Sequence, residues 1–208
     1  YELIHSSNPK AKAVFPEELI PLLTIEPKSK TAEPILPLIN EGDEVKIYNS
    51  GLILFWPFLT RLFEILSLAK NGVFLNAECR NRAVYILQYL ACNDINFPEY
   101  KLVLNKLLSG MRPEEHLVPL ADLTDEEKES AQSLINGLIN NWEKVKNSSP
   151  EGIQETFIQR DGILRFQEDK ITLVVEKKGF DILMESIPWN IALVKLAWME
   201  KPIYVEWI

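Results

Sequence analysis

The chain has 208 residues, 47% of them hydrophobic and 10% aromatic, which excludes a disordered polypeptide and allows one or two packed domains. Its 22 Lys and Arg stand against 30 Asp and Glu, for a net charge of -8. The short basic stretches at 144–147 and 176–178 are flanked by acid, so nucleic acid is excluded as an expected partner.

The chain opens at Tyr1 with no initiator methionine and no signal-peptide pattern, so a piece of a longer polypeptide, or one with trimmed ends, is expected. Pro9, Pro16, Pro21, Pro27, Pro34 and Pro37 each deny a helix interior or a central strand. Residues 1–42 therefore read as an irregular, proline-rich linker whose apolar stretches at 14–23 and 34–39 give it surface to dock. A single α+β domain is expected over 43–208.

Residues 51–69, GLILFWPFLTRLFEILSLA, are apolar enough to raise a membrane reading. Arg61 and Glu64 near the centre would be expensive in a bilayer, and Pro57 breaks the run. The spacing predicts extended chain over 45–56, broken by Ser50 and Gly51, then a helix over 57–68 opened by Pro57. Thr60, Arg61, Glu64 and Ser67 share its wet face, and Phe58, Leu59, Leu62, Phe63, Ile65 and Leu66 cover the rest. No stable membrane insertion is expected.

A second helix is predicted over 76–92, capped by Asn76. It carries Cys79 and Cys92 about 20 Å apart at 1.5 Å rise per residue, too far to pair. Two reduced thiols fit a cytosolic site of synthesis. Pro98 opens a third helix over 98–109, closing near Gly110. Thr124 and Glu127 have capping-box spacing at the head of a helix over 125–145, with Ala131, Leu134, Ile135, Leu138, Ile139, Trp142 and Val145 on one face. A fifth helix spans 150–158. The pattern then changes period. ILRF and ITLVVE make a hairpin over 163–176, Phe180–Ser186 makes a helical turn or two, and IALVKLAW with IYVEW makes a hairpin over 191–207. The fold class is α+β: a bundle-like helical part over about 57–157, then a small antiparallel sheet of hairpins.

Catalytic and metal patterns are missing. His5 and His116 have no Cys or His at ligand spacing, and Glu114, Glu115 and His116 read as a solvated loop. Cys79 and Cys92 have apolar neighbours, as inert thiols do. Asp43 with Glu44 belongs to a charged strand border, and Asp125, Glu126 and Glu127 belong to a helix cap. No cofactor is expected. A remote enzyme reading would draw on scattered residues, Glu64, Arg82, Asn105 and Lys106. Trp56, Trp142, Trp189, Trp198 and Trp207 are many for this length. Core packing accounts for them, and tryptophans at a sheet edge can serve a partner as well.

The ordered series GLILFWPFLTRLFEIL, RAVYILQYLA, PEYKLVLNKLLSG, NSSPEGIQETFIQRDGIL and ILMESIPWNIALVKLAWMEKPIYVEW resembles the C-terminal region of contractile injection system tape measure proteins, over about 45–208. The elements that carry the resemblance contain Trp56, Pro57, Phe58, Arg61, Glu64, Gln88, Tyr89, Asn105, Lys106, Pro188, Trp189, Trp198, Glu206 and Trp207. The chain departs from the expected pattern at Ser109, where cysteine is expected, and at Ala197, where proline is expected. The resemblance implies a structural, non-enzymatic protein of a phage-tail-like particle, which sets inner-tube length during assembly. The 208 residues would be an end module rather than the ruler, since no long uninterrupted helical pattern is present. Implied partners are inner-tube, spike, baseplate or cap proteins, with a homo-oligomer as a further option. The implied location is the cytoplasm during assembly and then the particle, from which the protein could be released. The competing reading is a generic scaffold that binds through a Trp-rich C-terminal surface.

Overall fold

The computed structural model describes residues 38–207, and the docking linker expected over 1–42 falls almost wholly outside them. From Asn40 a turn through Gly42 leads into strand β1 (Glu44–Ile47). The extended chain expected over 45–56 stops there. Ser50–Phe55 instead forms a 3-10 helix in which every residue is buried. Periodicity cannot separate a short buried helix from a buried strand when all side chains are apolar. Gly51 settles the local geometry, because a Cβ there would overlap the carbonyl oxygen of Phe157.

Helix α1 (Trp56–Ile65) follows directly, with Pro57 in its first turn, where a missing N–H costs nothing. It ends earlier than the expected Leu68 because Ser67 adopts a left-handed φ of 55°. Strands β2 (Ala69–Lys70) and β3 (Val73–Phe74) then pair across Asn71-Gly72, both at positive φ (53° and 73°). Helix α2 (Ala77–Cys92) starts where the Asn76 side chain accepts the Cys79 N–H at 2.8 Å. It closes on Asn93, whose N–H reaches the Tyr89 carbonyl from a left-handed conformation.

The helix expected over 98–109 divides into a 3-10 turn (Glu99–Lys101) and α3 (Val103–Leu108), with Leu102 between them outside helical geometry. Helix α4 (Asp125–Asn141) has the full capping box. Its expected continuation to 145 breaks at Trp142, where φ −112° and ψ 97° turn the indole into the core. A 3-10 turn (Glu143–Val145) follows. Helix α5 (Pro150–Ile153) runs into a π-helical turn (Gln154–Ile158).

Strands β4 (Gly162–Phe166) and β5 (Ile171–Val175) form the first C-terminal hairpin. The second is reduced to β6 (Leu193–Val194) against β7 (Ile203–Glu206). The sheet order is β1-β4-β5-β7-β6, and β7 runs parallel to β5, so the sheet is mixed where a purely antiparallel one was expected. A parallel neighbour needs a long crossover, which residues 176–202 supply, including a 3-10 helix (Gly179–Ser186). β1 arrives from the N-terminal side to pair with β4. The class is α+β. One continuous core joins Leu52–Phe55, Ile86 and Leu90 of α2, Ile135 and Leu138 of α4, and Leu164 and Leu173 of the sheet.

Candidate interaction surface

The tryptophans turn inward. Trp142 and Trp207 are fully buried, and Trp56, Trp189 and Trp198 are half-buried. Every indole N–H donates to an internal oxygen: Trp56 to Asn190 O (2.8 Å), Trp142 to Ser186 Oγ (2.9 Å), Trp189 to Leu54 O (3.1 Å), Trp198 to Leu108 O (2.8 Å) and Trp207 to Asp181 Oδ2 (3.3 Å). Burying the ring while satisfying its donor is what a core tryptophan requires. Core packing takes all five rings, and Trp56, Trp189 and Trp198 keep part of their surface exposed.

Two of the sequence elements meet through these rings. Phe58 packs edge-on against Trp189 at 5.2 Å, which fastens the head of α1 to the segment before β6. Trp198 lies against Phe63 and Phe74, joining α1, β3 and the C-terminal segment. Pro57, Arg61, Glu64, Pro188 and Glu206 are exposed, and Tyr89 is half-buried.

Gln88, Asn105 and Lys106 are buried and belong to polar pins. Asn49 Nδ2 donates to Asn105 Oδ1 (2.7 Å) and Gln88 Oε1 (3.3 Å), and Asn105 Nδ2 donates to Gln88 Oε1 (3.2 Å) and Val84 O (3.3 Å). This amide cluster ties the 3-10 helix to α2 and α3. Lys106 Nζ donates to Glu99 Oε1 (2.6 Å), Pro113 O (2.9 Å) and Glu115 O (2.7 Å), so all three ammonium protons are satisfied inside the fold.

Sequence reasoning missed a second fully enclosed charge. Arg160 is fully buried between the rings of Phe180 (5.2 Å) and Trp207 (5.5 Å) and grips Asp181 with two bonds, 2.7 and 2.9 Å. It also donates to the Glu176 carbonyl. Burial works against an ionised Asp181, but the bonds from Arg160, the Lys178 N–H and the Trp207 N–H outweigh it and hold the pKa below the ordinary carboxylate range. Glu127 follows the same logic: burial opposes its charge, and Arg82 at 2.7 and 2.5 Å with the Thr124 N–H at 2.7 Å prevail, so its pKa is also lowered. Burial pushes the Cys92 thiol up, away from reactivity.

Glu64, Arg82, Asn105 and Lys106 do not act together: Glu64 is exposed on α1, and the other three are committed to the separate partners above. Among the described residues no group of His, Cys, Asp and Glu is placed to hold a metal ion. His116 is exposed near Glu99. Among the described residues no helix is long and apolar enough to cross a membrane.

Functional weight therefore falls on surface. The outer face of the sheet carries Glu44, Lys46, Arg165, Tyr204 and Leu193 in the open, with Glu44 and Arg165 paired at 2.7 Å and Lys170 over the Tyr204 ring, 5.2 Å from its centroid. A groove of about 450 Å³ runs between α1 and α4, lined by Phe58, Arg61, Ile65, Glu126 and Glu129. A family model described as contractile injection system tape measure protein matches residues 17–207. The chain belongs to that family. A search of curated proteins and one of solved structures each gave no match to this tape measure chain. The family places the protein with an injection particle and in association with its other components.

Proposed function

We propose that this chain is a non-enzymatic end module of its tape measure protein, holding one end of the ruler to a particle component while the inner tube reaches its set length. The observation that carries the reading is the family match over 17–207 combined with where the buried polar chemistry goes. Buried charges and amides that would serve a catalyst are spent on fastening elements to one another, Gln88 and Asn105 joining α2 and α3 to Asn49, Arg82 and Glu127 joining α2 to α4, and Arg160 with Asp181 holding the segment after β5, and the polar groups left outside are scattered over broad surfaces. Such a module offers its partners shape and charge rather than a reacting group. Tube, spike, baseplate or cap subunits are the partners it would meet, after a soluble stage in the cytoplasm. Arg61, Glu64, Pro188 and Glu206, exposed members of the ordered series, are the side chains placed to touch them.

The test is made in particles. Deleting residues 44–207 from the full-length polypeptide is expected to give tubes without a fixed length, or none, while shortening a helical ruler elsewhere in that polypeptide gives proportionately shorter tubes. Particles of normal number and length after both changes would overturn the reading.

A further inference from the structure

β1 is an edge strand with a chemically readable outer side. The bond from Phe166 N–H to Asp43 O at 3.1 Å fixes the alternation, so Val45 and Ile47 bond inward to β4. Glu44 and Lys46 therefore point their N–H and C=O groups away from the sheet, and among the described residues nothing pairs with them. Their side chains are exposed on the outer face, while Val45 is partly buried on the core side.

We propose that this edge pairs with β1 of a second copy, antiparallel about a two-fold axis at Val45. The occupant follows from charge and register. An added strand must match outward-facing residues with outward-facing residues, which leaves three two-fold registers near the strand. One sets Glu44 against Glu44, one sets Lys46 against Lys46, and the third sets Glu44 of each copy against Lys46 of the other. Only the third is attractive, and it occurs twice by symmetry. It also brings the two Val45 side chains together at the close, non-hydrogen-bonded spacing. A lysine on an edge strand ordinarily discourages association. Here the second copy supplies the carboxylate that neutralises it, and Arg165 beside Glu44 extends an alternating row across the joint. Two five-stranded sheets would become one continuous sheet, with both outer faces on the same side. The inference does not require the length-setting role, and its test uses the purified 208-residue chain rather than particles.

Sedimentation across a concentration series reads the association. The wild-type chain is expected to dimerise. Lys46→Glu and Glu44→Lys each place like charges opposite each other at two positions and should weaken dimerisation about tenfold. Mixed in equal amounts, the two variants regain complementary pairs and should form a heterodimer near wild-type strength. Lys46→Pro removes only an outward N–H and should abolish pairing with circular dichroism unchanged. A wild-type chain that stays monomeric to its solubility limit overturns the proposal. So does association that survives Lys46→Glu, or variants that fail to rescue each other on mixing.

Discussion

Arg160 makes its neighbours depend on it. A guanidinium with no solvent exposure has lost its hydration, and Asp181, the Glu176 and Thr156 carbonyls and two aromatic faces replace it. Arg160→Met is expected to cost about 3–5 kcal/mol at neutral pH, because it leaves the Asp181 carboxylate buried and without its cation. Urea unfolding measures this. The sign with pH follows from the lowered pKa of Asp181. Its contribution is fully present above the unfolded carboxylate value, about 3.9, and is lost as pH falls through the folded one. The gap between wild type and Arg160→Met should therefore narrow on acidification, and a gap that widens would contradict the assignment. Ser109 presents the opposite case: its Oγ is buried with no partner. The resemblance leads one to expect cysteine there, and a thiol loses less than a hydroxyl on burial. Ser109→Cys or Ser109→Ala should raise stability by about 1 kcal/mol in the same assay.

At the scale of elements, the ends of helices and the turns explain most boundaries. In α4 the Thr124 side chain accepts the Glu127 N–H at 3.2 Å, and Glu127 returns a bond to Thr124 while also holding Arg82 of α2. Thr124→Ala should cost about 1 kcal/mol, whereas Glu127→Ala should cost more, since it also strips Arg82 of its partner. Amide exchange would show the first fraying one turn of α4 and the second loosening α2 against α4. Equal, local effects would refute the coupling. Thr124 and Glu127 were legible in the sequence because a cap depends on spacing within one segment, as were Asn76 and Ser149-Pro150. Asn71-Gly72 was equally readable as a two-residue hairpin turn, yet the strands it joins are only two residues each, Ala69–Lys70 and Val73–Phe74, too short to show an alternation. Other features were not local. Gly51 is required by the approach of Phe157, more than a hundred positions away, and Asn49 reaches Asn105. Arg160 reads in sequence as one more surface charge. The aromatic faces that enclose it come from Phe180 and Trp207, which no spacing rule links to it.

Among the described residues, the order β1-β4-β5-β7-β6 places the last strand inside the sheet and the first at its edge. The parallel β5–β7 pair was not legible, because the partner a strand takes is decided by where its crossover packs, not by its own alternation. This topology makes the two ends unequal. β7 pairs with β5 on one side and β6 on the other, and the residue after it, Trp207, roofs Arg160. Among the described residues β1 has one neighbour and one fully buried side chain, Ile47. A chain ending at Pro202 should therefore lose cooperative unfolding altogether, with exchange of β5 amides and exposure of Arg160 and Asp181. A chain beginning at Tyr48 should keep a cooperative transition, weakened by about 1.5–3 kcal/mol from the lost burial of one large aliphatic side chain, with faster exchange confined to β4. Denaturation and hydrogen exchange on the two truncations distinguish these outcomes. If the shortened C-terminus were the milder loss, β7 would not be the strand that closes the sheet. Because β7 follows every other strand of the sheet in sequence, the sheet can be completed only after residues through Glu206 have been synthesised. The long-range β5–β7 pairing must then close the large crossover loop as a late step in folding.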